Sequence, residues 1–409
     1  MQIFLVGGAV RDRLLGLPVK ERDYVVVGAT QETMLQQGFK QVGRDFPVFL
    51  HPHTHEEYAL ARTDRIRTGG EPGALPHADP QVTLEQDLAR RDLTINAIAQ
   101  DSTGKLIDPF DGLVDLQRRQ LRHVSSAFIE DPIRVLRVAR FMARYQVFGF
   151  QVAPATLALM TEMVQTDALD ELVPERVWQE LSRALATDDP TPFFLTLRSC
   201  GALSRVLPEI DRLWGVPQPT HWHPEVDCGI HTMLTLQIAC RLSGSLAVRF
   251  AALTHDLGKG VTPKDLLPSH HGHEAVGSRV IGELCDRLRV PKRCQVLAQR
   301  CARYHGHCHR LDELQPKTVL KLLERLDAFR QPESFNEFLL VCEADYRGRE
   351  GYQERSYPQA TRCIQLFEAA RNVDRESLRG LQGRMVAEAL RAIRLKAIRV
   401  VKESAGQAL

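Results

Sequence analysis

At 409 residues the chain exceeds the roughly 100 to 200 of a usual domain, so two to four domains with a substantial core are expected and a disulfide-stapled miniprotein is excluded. Apolar residues at 44% and charged residues at 25% are ordinary for a folded, soluble protein. Net charge is only +2, from 53 basic and 51 acidic side chains, so any surface for a polyanion must be a local patch.

The chain begins MQIFLVGGAVRDRLLG, which has no basic n-region and meets Arg11 and Asp12 too soon for a signal peptide. No run of about 18 apolar residues follows, so a cytoplasmic protein without membrane attachment is expected, and nothing marks an obligate protein partner. Nine cysteines, odd in number and without C-x-x-C pairs, read as reduced thiols filling core. Through residue 110 the stretches IFLVGG, RDYVVVG, FPVFLH and KLIDPF have strand character and alternate with short helical patterns, which predicts a small mixed α/β head. From about Phe128 apolar residues recur every three or four positions, as in 132–145, 155–164 and 175–186, and the remainder is predicted to be helical. Pro217, Pro219 and Pro224, with Trp214 and Trp222 among them, suggest a break at 214–227, and RQPES suggests another at 330–334. The expected division is 1–127, 128–220, 228–330 and 331–409. Between Arg371 and Lys402 lie nine Lys/Arg and three Asp/Glu on a helical pattern, either a solvated face or a surface for RNA backbone.

Four motifs in the first half carry chemistry together. Gly7-Gly8 leads into AVRDRLLG, a strand, tight turn and short helix whose N–H groups and Arg11 could hold an oligophosphate, although such a turn alone is often only a turn. Glu21 and Asp23, before YVVVG, would lie on one side of a strand about 7 Å apart and could bridge two divalent cations, or be ordinary edge charges. Arg90-Arg91-Asp92 runs to Asn96, and Glu130-Asp131-Pro132 opens a helix bearing Arg134, Arg137 and Arg140. Steps of three turn that row by about 60° each, so Asp131 and Arg134 adjoin while Arg140 is half a turn away.

Taken in order, GGAVRDRLLG, ExD, RRDLTIN and EDPIRVLRVAR, with LVPERVWQEL at 172–181, resemble the class II tRNA nucleotidyltransferases, the CCA-adding enzymes of the polymerase-β-type superfamily. The resemblance covers roughly residues 1–220. It implies an α/β head and helical neck and body that add C, C and A to tRNA from CTP and ATP. By the same resemblance, Glu21 and Asp23 hold Mg2+, Gly8 and Arg11 cradle the nucleotide phosphates, and Arg91 discriminates the ribose side. Asp131 and Arg134 would read the base edge, with Arg137 and Arg140 completing the pocket; an acceptor beside a bidentate donor can match cytosine and adenine. Glu21 stands where the family more often has Asp, the loop at 67–80 is unlike the family's mobile loop, and Glu57 is a candidate third carboxylate.

Ten of the fifteen histidines lie between His221 and His309, more than core packing alone requires. His231, the pair His255-Asp256 before LGKG, the run His270, His271 and His273, then His305 and Asp345 offer imidazoles and carboxylates to a transition metal, which lowers the pKa of bound water. The series resembles the HD-superfamily phosphohydrolases over roughly 228–330, with His231, His255, Asp256 and His305 as ligands of Ni2+ or another transition metal. A nucleotidyltransferase head joined to an HD domain is similar to two-activity bacterial members of the CCA-adding family. There the second domain is associated with 2′,3′-cyclic phosphodiesterase, 2′-nucleotidase and phosphatase activities. Two rivals are a bacterial poly(A) polymerase, which shares the head motifs, and a nucleic-acid-binding protein whose only chemistry is HD hydrolysis.

Overall fold

A computed structural model describes residues 1–42, 48–66, 74–221 and 223–406. The loop expected at 67–80 and the strand stretch FPVFLH therefore fall partly outside the described residues, as does Trp222. The chain divides into two compact units, residues 1–184 with 192–206, and residues 185–191 with 207–409.

The first unit opens on a seven-stranded sheet of order β3-β4-β5-β2-β1-β8-β9. Its strands are β1 (Gln2–Val6), β2 (Asp23–Val27), β3 (Lys40–Val42), β4 (Val48–Leu50), β5 (Glu57–Leu60), β8 (Ala99–Gln100) and β9 (Leu106–Ile107), while β6 (Arg62–Ile66) and β7 (Ala74–Ala78) form a separate hairpin. β1 pairs with β2 and β8 antiparallel, and β2 with β5 parallel. The continuous apolar run of β2 is explained by its neighbours: Val25 faces a core with Phe4, Val6 and Leu88, and Val26 faces the opposite core with Met34, Phe49 and Tyr58. Both faces of the sheet are covered. Around it lie α1 (Gly8–Leu14), α2 (Gln31–Gln36), α3 (Leu84–Ala89) and α4 (Gly112–Arg118).

Helices then dominate as predicted: α5 (Ile133–Tyr145), α6 (Pro154–Gln165), α7 (Pro174–Leu185), α8 (Thr191–Ser199) and α9 (Ala202–Val206). Two strand pairs escaped the sequence reading: the β6–β7 hairpin, whose second strand lies within the stretch read as a loop at 67–80, and β10 (Gln120–Leu121) parallel to β11 (Gln151–Val152), two residues each and too short for a periodic signal.

The second unit is helical among its described residues: α10 (Pro208–Asp211), α11 (Cys228–Leu242), α12 (Leu246–Thr254), α13 (His273–Leu288), α14 (Lys292–His309), α15 (Pro316–Arg325), α16 (Pro332–Arg347), α17 (Pro358–Arg371) and α18 (Arg384–Gly406). Both expected breaks interrupt the helices, 214–227 between α10 and α11 and 330–334 at the start of α16. The segment 214–227 is anchored by a bridge between Pro217 and Asp227, and Asp227 caps α11 by accepting from Ile230 N at 2.9 Å. The 330–334 stretch only starts α16, whose Phe335, Phe338 and Leu339 are buried as it packs on α11, α12 and α14. In the basic tail, Arg391 pairs with Glu324 at 3.1 Å and Arg394 lies 3.7 Å over the Phe329 ring. Part of its charge thus holds α18 in place. All nine cysteines are free thiols, eight of them buried.

Candidate functional site

The head site forms where β1 turns into α1. Gly7 has φ +66°, a backbone conformation that favours glycine, and its lack of a Cβ leaves room for the Arg91 guanidinium, whose Nη1 lies 2.8 Å from where that atom would stand. Arg91 is thereby held beside the turn, 3.4 Å from Asn96 O and 3.4 Å from Asp87 Oδ2. Gly8 starts α1. Asp23 opens β2 directly opposite Glu57 of β5. Glu21, expected within the strand, precedes it, because the ladder ends where Val6 pairs with Asp23 and the partner strand turns away. Glu21, Asp23 and Glu57 nonetheless line one cavity of about 720 Å³. Partial burial raises the Asp23 carboxyl above its ordinary range; Arg91 opposes this and the negative charge of Glu21 adds to it. Mutually repelling carboxylates with oxygen donors only are a donor set that fits a hard cation such as Mg2+.

A buried polar chain ties the first, third and fourth motifs to the helix bearing Glu180. Arg11 donates Nε to Asp12 at 2.8 Å and Nη1 to Asn96 Oδ1, its guanidinium 5.2 and 5.1 Å from the Phe141 and Tyr145 ring centres. Asn96 Nδ2 donates to Asp92 at 2.8 Å, and Arg137 Nε donates to the other Asp92 oxygen at 2.7 Å. Arg140 donates to Glu180, which Arg137 also approaches at 4.0 Å. Burial alone would raise the Asp92 carboxyl, but the Arg137 charge and hydrogen bonds from Asn96, Arg137 and Leu93 N hold it well below the usual range.

The expected base-reading set is divided. Arg137 and Arg140 meet at Glu180. Asp131 lies before α5 and accepts from Arg176 at 3.1 and 2.7 Å, while Arg134 donates to the carbonyls of Ala127 and Arg90 at 2.5 and 2.6 Å. The two adjoin through Arg134 N and Asp131 O at 3.0 Å, but their side chains have other partners.

In the second unit α11, α12, α13, α14 and α16 converge on one histidine cluster. His255, His273 and His305 each donate Nδ1–H to a main-chain carbonyl, of Ala252, His270 and Cys301, at 2.8, 2.7 and 2.9 Å. That fixes the tautomer and leaves each Nε2 lone pair for the centre. His255 Nε2, His273 Nε2 and Asp256 Oδ1 are buried with no hydrogen-bond partner. His231 Nε2 lies 3.0 Å from Asp345 Oδ1, and His255 Nε2 lies 3.7 Å from the same oxygen. Three groups of possible ligands result among the described residues, His223 with Glu225 and His231, His231 with His255 and Asp345, and Asp256 with His273 and His305, the atoms of each within 4.8 Å of one another. Imidazole and carboxylate donors with orphaned lone pairs fit a transition-metal centre.

The four HD residues chosen from sequence are thus all brought together, and the choice lacked His273 and Asp345. His270 instead bonds Thr262 and Pro217 O, and His271 is exposed. Sequence reasoning also missed the surrounding support. Glu225 Oε1 lies 2.9 Å from both His223 Nδ1 and His231 Nδ1, Tyr357 OH lies 2.9 Å from His309 Nδ1, and His309 Nε2 lies 2.7 Å from Asp345. Lys259 Nζ sits 2.7 Å from Asp256, offsetting its charge. The cluster opens into a cavity of about 640 Å³. Gly258 allows the assembly, since a Cβ there would meet His273 O at 2.0 Å.

Comparison with known proteins gives the class first. Residues 3–122 match the poly A polymerase head domain, 149–213 the probable RNA and SrmB-binding site of polymerase A, and 229–331 the HD domain. The chain is a nucleotidyltransferase head followed by an HD domain, although Asp345 carries the histidine site beyond the matched stretch. It is 58% identical to the multifunctional CCA protein of Thioalkalivibrio sulfidiphilus over 99% of this chain and 100% of that one, and 58% identical to that of Methylococcus capsulatus over 98% and 95%. The chain belongs to the multifunctional CCA protein family and is an enzyme of the tRNA nucleotidyltransferase kind. Its fold is similar to a CCA-adding enzyme in complex with CTP (TM-score 0.64, 19% identity, 97% of this chain and 87% of that one) and to the Thermotoga maritima CCA-adding enzyme complexed with tRNA (TM-score 0.62, 17% identity, 98% and 91%). Among the described residues no helix is long and apolar enough to cross a membrane.

Proposed function

We propose that the chain adds C, C and A to the tRNA 3′ end from CTP and ATP at the head site, and that its HD domain prepares damaged ends by hydrolysis. The supporting observation is the register that sets Asp23 against Glu57, with Glu21 on the same cavity wall beneath the Gly7 turn. Glu21 and Asp23, with Glu57 beside them, would hold Mg2+. When bound, Mg2+ activates the attacking 3′-hydroxyl and neutralises the departing pyrophosphate. Gly8 and Arg11 shape the phosphate end of the site, and Arg91, held against the turn, bounds the ribose side. Arg137 and Arg140, kept extended by Asp92 and Glu180, join Asp131 and Arg134 in reading the base; the latter pair must exchange their present partners to do so. In this reading residues 1–127 are the head, 128–220 the neck and body that recognise base and RNA, 228–330 the HD domain and 331–409 the tail.

At the second site His231, His255, Asp256, His273, His305 and Asp345 would hold Ni2+ or another transition metal, which supplies a water nucleophile at neutral pH when bound. Lys259 balances Asp256, and the Nδ1 bonds to main chain keep the imidazoles aimed. The substrates would be 2′,3′-cyclic phosphates, 2′-nucleotides and phosphate esters. The order is chemical: an end blocked by phosphate has no hydroxyl to offer the transferase.

Two assays separate the sites. Asp23→Ala should abolish incorporation of labelled CTP into truncated tRNA, and unchanged incorporation refutes the metal assignment. His255→Ala should abolish hydrolysis of 2′,3′-cyclic AMP while leaving incorporation intact; retained hydrolysis refutes the histidine site.

A further inference from the structure

Beside the histidine cavity, between α14 and α15, lies a second cavity of about 670 Å³ lined by Arg303, Tyr304, His307, Lys321 and Arg325. Arg303 and His307 are four residues apart on α14, and Lys321 and Arg325 four apart on α15, so each helix turns a basic pair toward the same opening. Arg303, Lys321 and Arg325 repel one another and have no ion-pair partner among the described residues, Glu324 being paired with Arg391, while burial lowers the pKa of His307 and leaves it a flat polar ring beside them. Glu274 is the one carboxylate among the described lining residues, and it also borders the histidine cavity, 3.7 Å from His273 Nδ1. It marks the rim between the two cavities. On α14 His305 faces the cluster and His307, two residues on, faces the groove, its ring 5.8 Å from Tyr304.

Unpaired cations interleaved with aromatic rings are what single-stranded nucleic acid requires, charge for phosphates and a flat face for a base. We propose that this groove binds the RNA segment immediately upstream of the 3′-terminal nucleotide being hydrolysed, Arg303, Lys321 and Arg325 on its phosphates and Tyr304 with His307 against a base. The inference rests on the hydrolase reading of the histidine site and adds where the RNA leading to that end is held, a contact that a free nucleotide does not make.

The test compares full-length wild type with Lys321→Glu/Arg325→Glu, and with the milder Lys321→Gln/Arg325→Gln, all loaded with Ni2+. Hydrolysis is measured on 2′,3′-cyclic AMP and on a tRNA ending in a 2′,3′-cyclic phosphate. KM for the tRNA should rise about tenfold or more at low salt, with a shallower salt dependence, while KM and kcat for the mononucleotide stay within about twofold. Lys321→Arg/Arg325→Lys should restore the tRNA KM. A wild type inert on both substrates overturns the hydrolase reading and this one with it. Wild type active on both substrates, with tRNA KM unmoved in the variants, overturns the groove assignment alone.

Discussion

Asp92 shows how a single side chain can serve both fold and site. Buried and bound by Asn96, Arg137 and Leu93 N, it orients one of the arginines proposed for base recognition. Removing one partner of such a buried pair typically costs about 3 to 5 kcal/mol, and Arg137, about a third exposed, places Asp92→Ala near the lower figure. The contribution depends on pH in a definite direction. Because the folded carboxyl lies below its ordinary 3.8, the stabilisation is complete above that value and fades as pH falls towards the folded one. Thermal melts should therefore show a wide gap between wild type and Asp92→Asn at pH 7 that narrows below about pH 4; a gap constant with pH contradicts the assignment. Glu225 has the corresponding place behind His231. Glu225→Gln should weaken Ni2+ binding about 10- to 100-fold in a calorimetric titration while the fold is retained, and an unchanged affinity would remove Glu225 from the support of the site.

At the scale of elements, what could be read in the sequence was what local spacing carries. GGAVRDRLLG announces a strand, a turn and a short helix because Gly7, Gly16 and Pro18 punctuate it, and THDLGKG places its ligands at a helix end. Where a ladder stops is not local. The alternation in ERDYVVVG suits a strand from Glu21 as well as one from Asp23, and only the turn of β1 after Val6 decides. Asp345 and Glu225 take their meaning from helices 114 and 6 residues away from them in relation to His231, one too distant for any periodicity and the other hidden among prolines that look like a linker. The approach of the turn after α12 to α13 is likewise a tertiary fact. Gly258→Ala, modest on a helix-propensity scale, puts a Cβ 2.0 Å from His273 O, so it should lower the melting temperature of the second unit and abolish its metal binding together. Loss of neither would show that the approach can relax.

On the scale of the molecule, the chain divides into two compact units, each proposed to carry its own chemistry. A metal that binds only the folded second unit should raise that unit's unfolding temperature and leave the first unchanged, in scanning calorimetry with and without Ni2+. Equal shifts in every transition, or none, would contradict a metal centre confined to the histidine cluster. The two rival readings of the whole chain differ in product. A tRNA lacking its terminus, supplied with CTP, ATP and Mg2+ and sequenced at its 3′ end, should gain C, C and A and then stop. A run of added adenosines, or an unextended tRNA, would contradict the central claim.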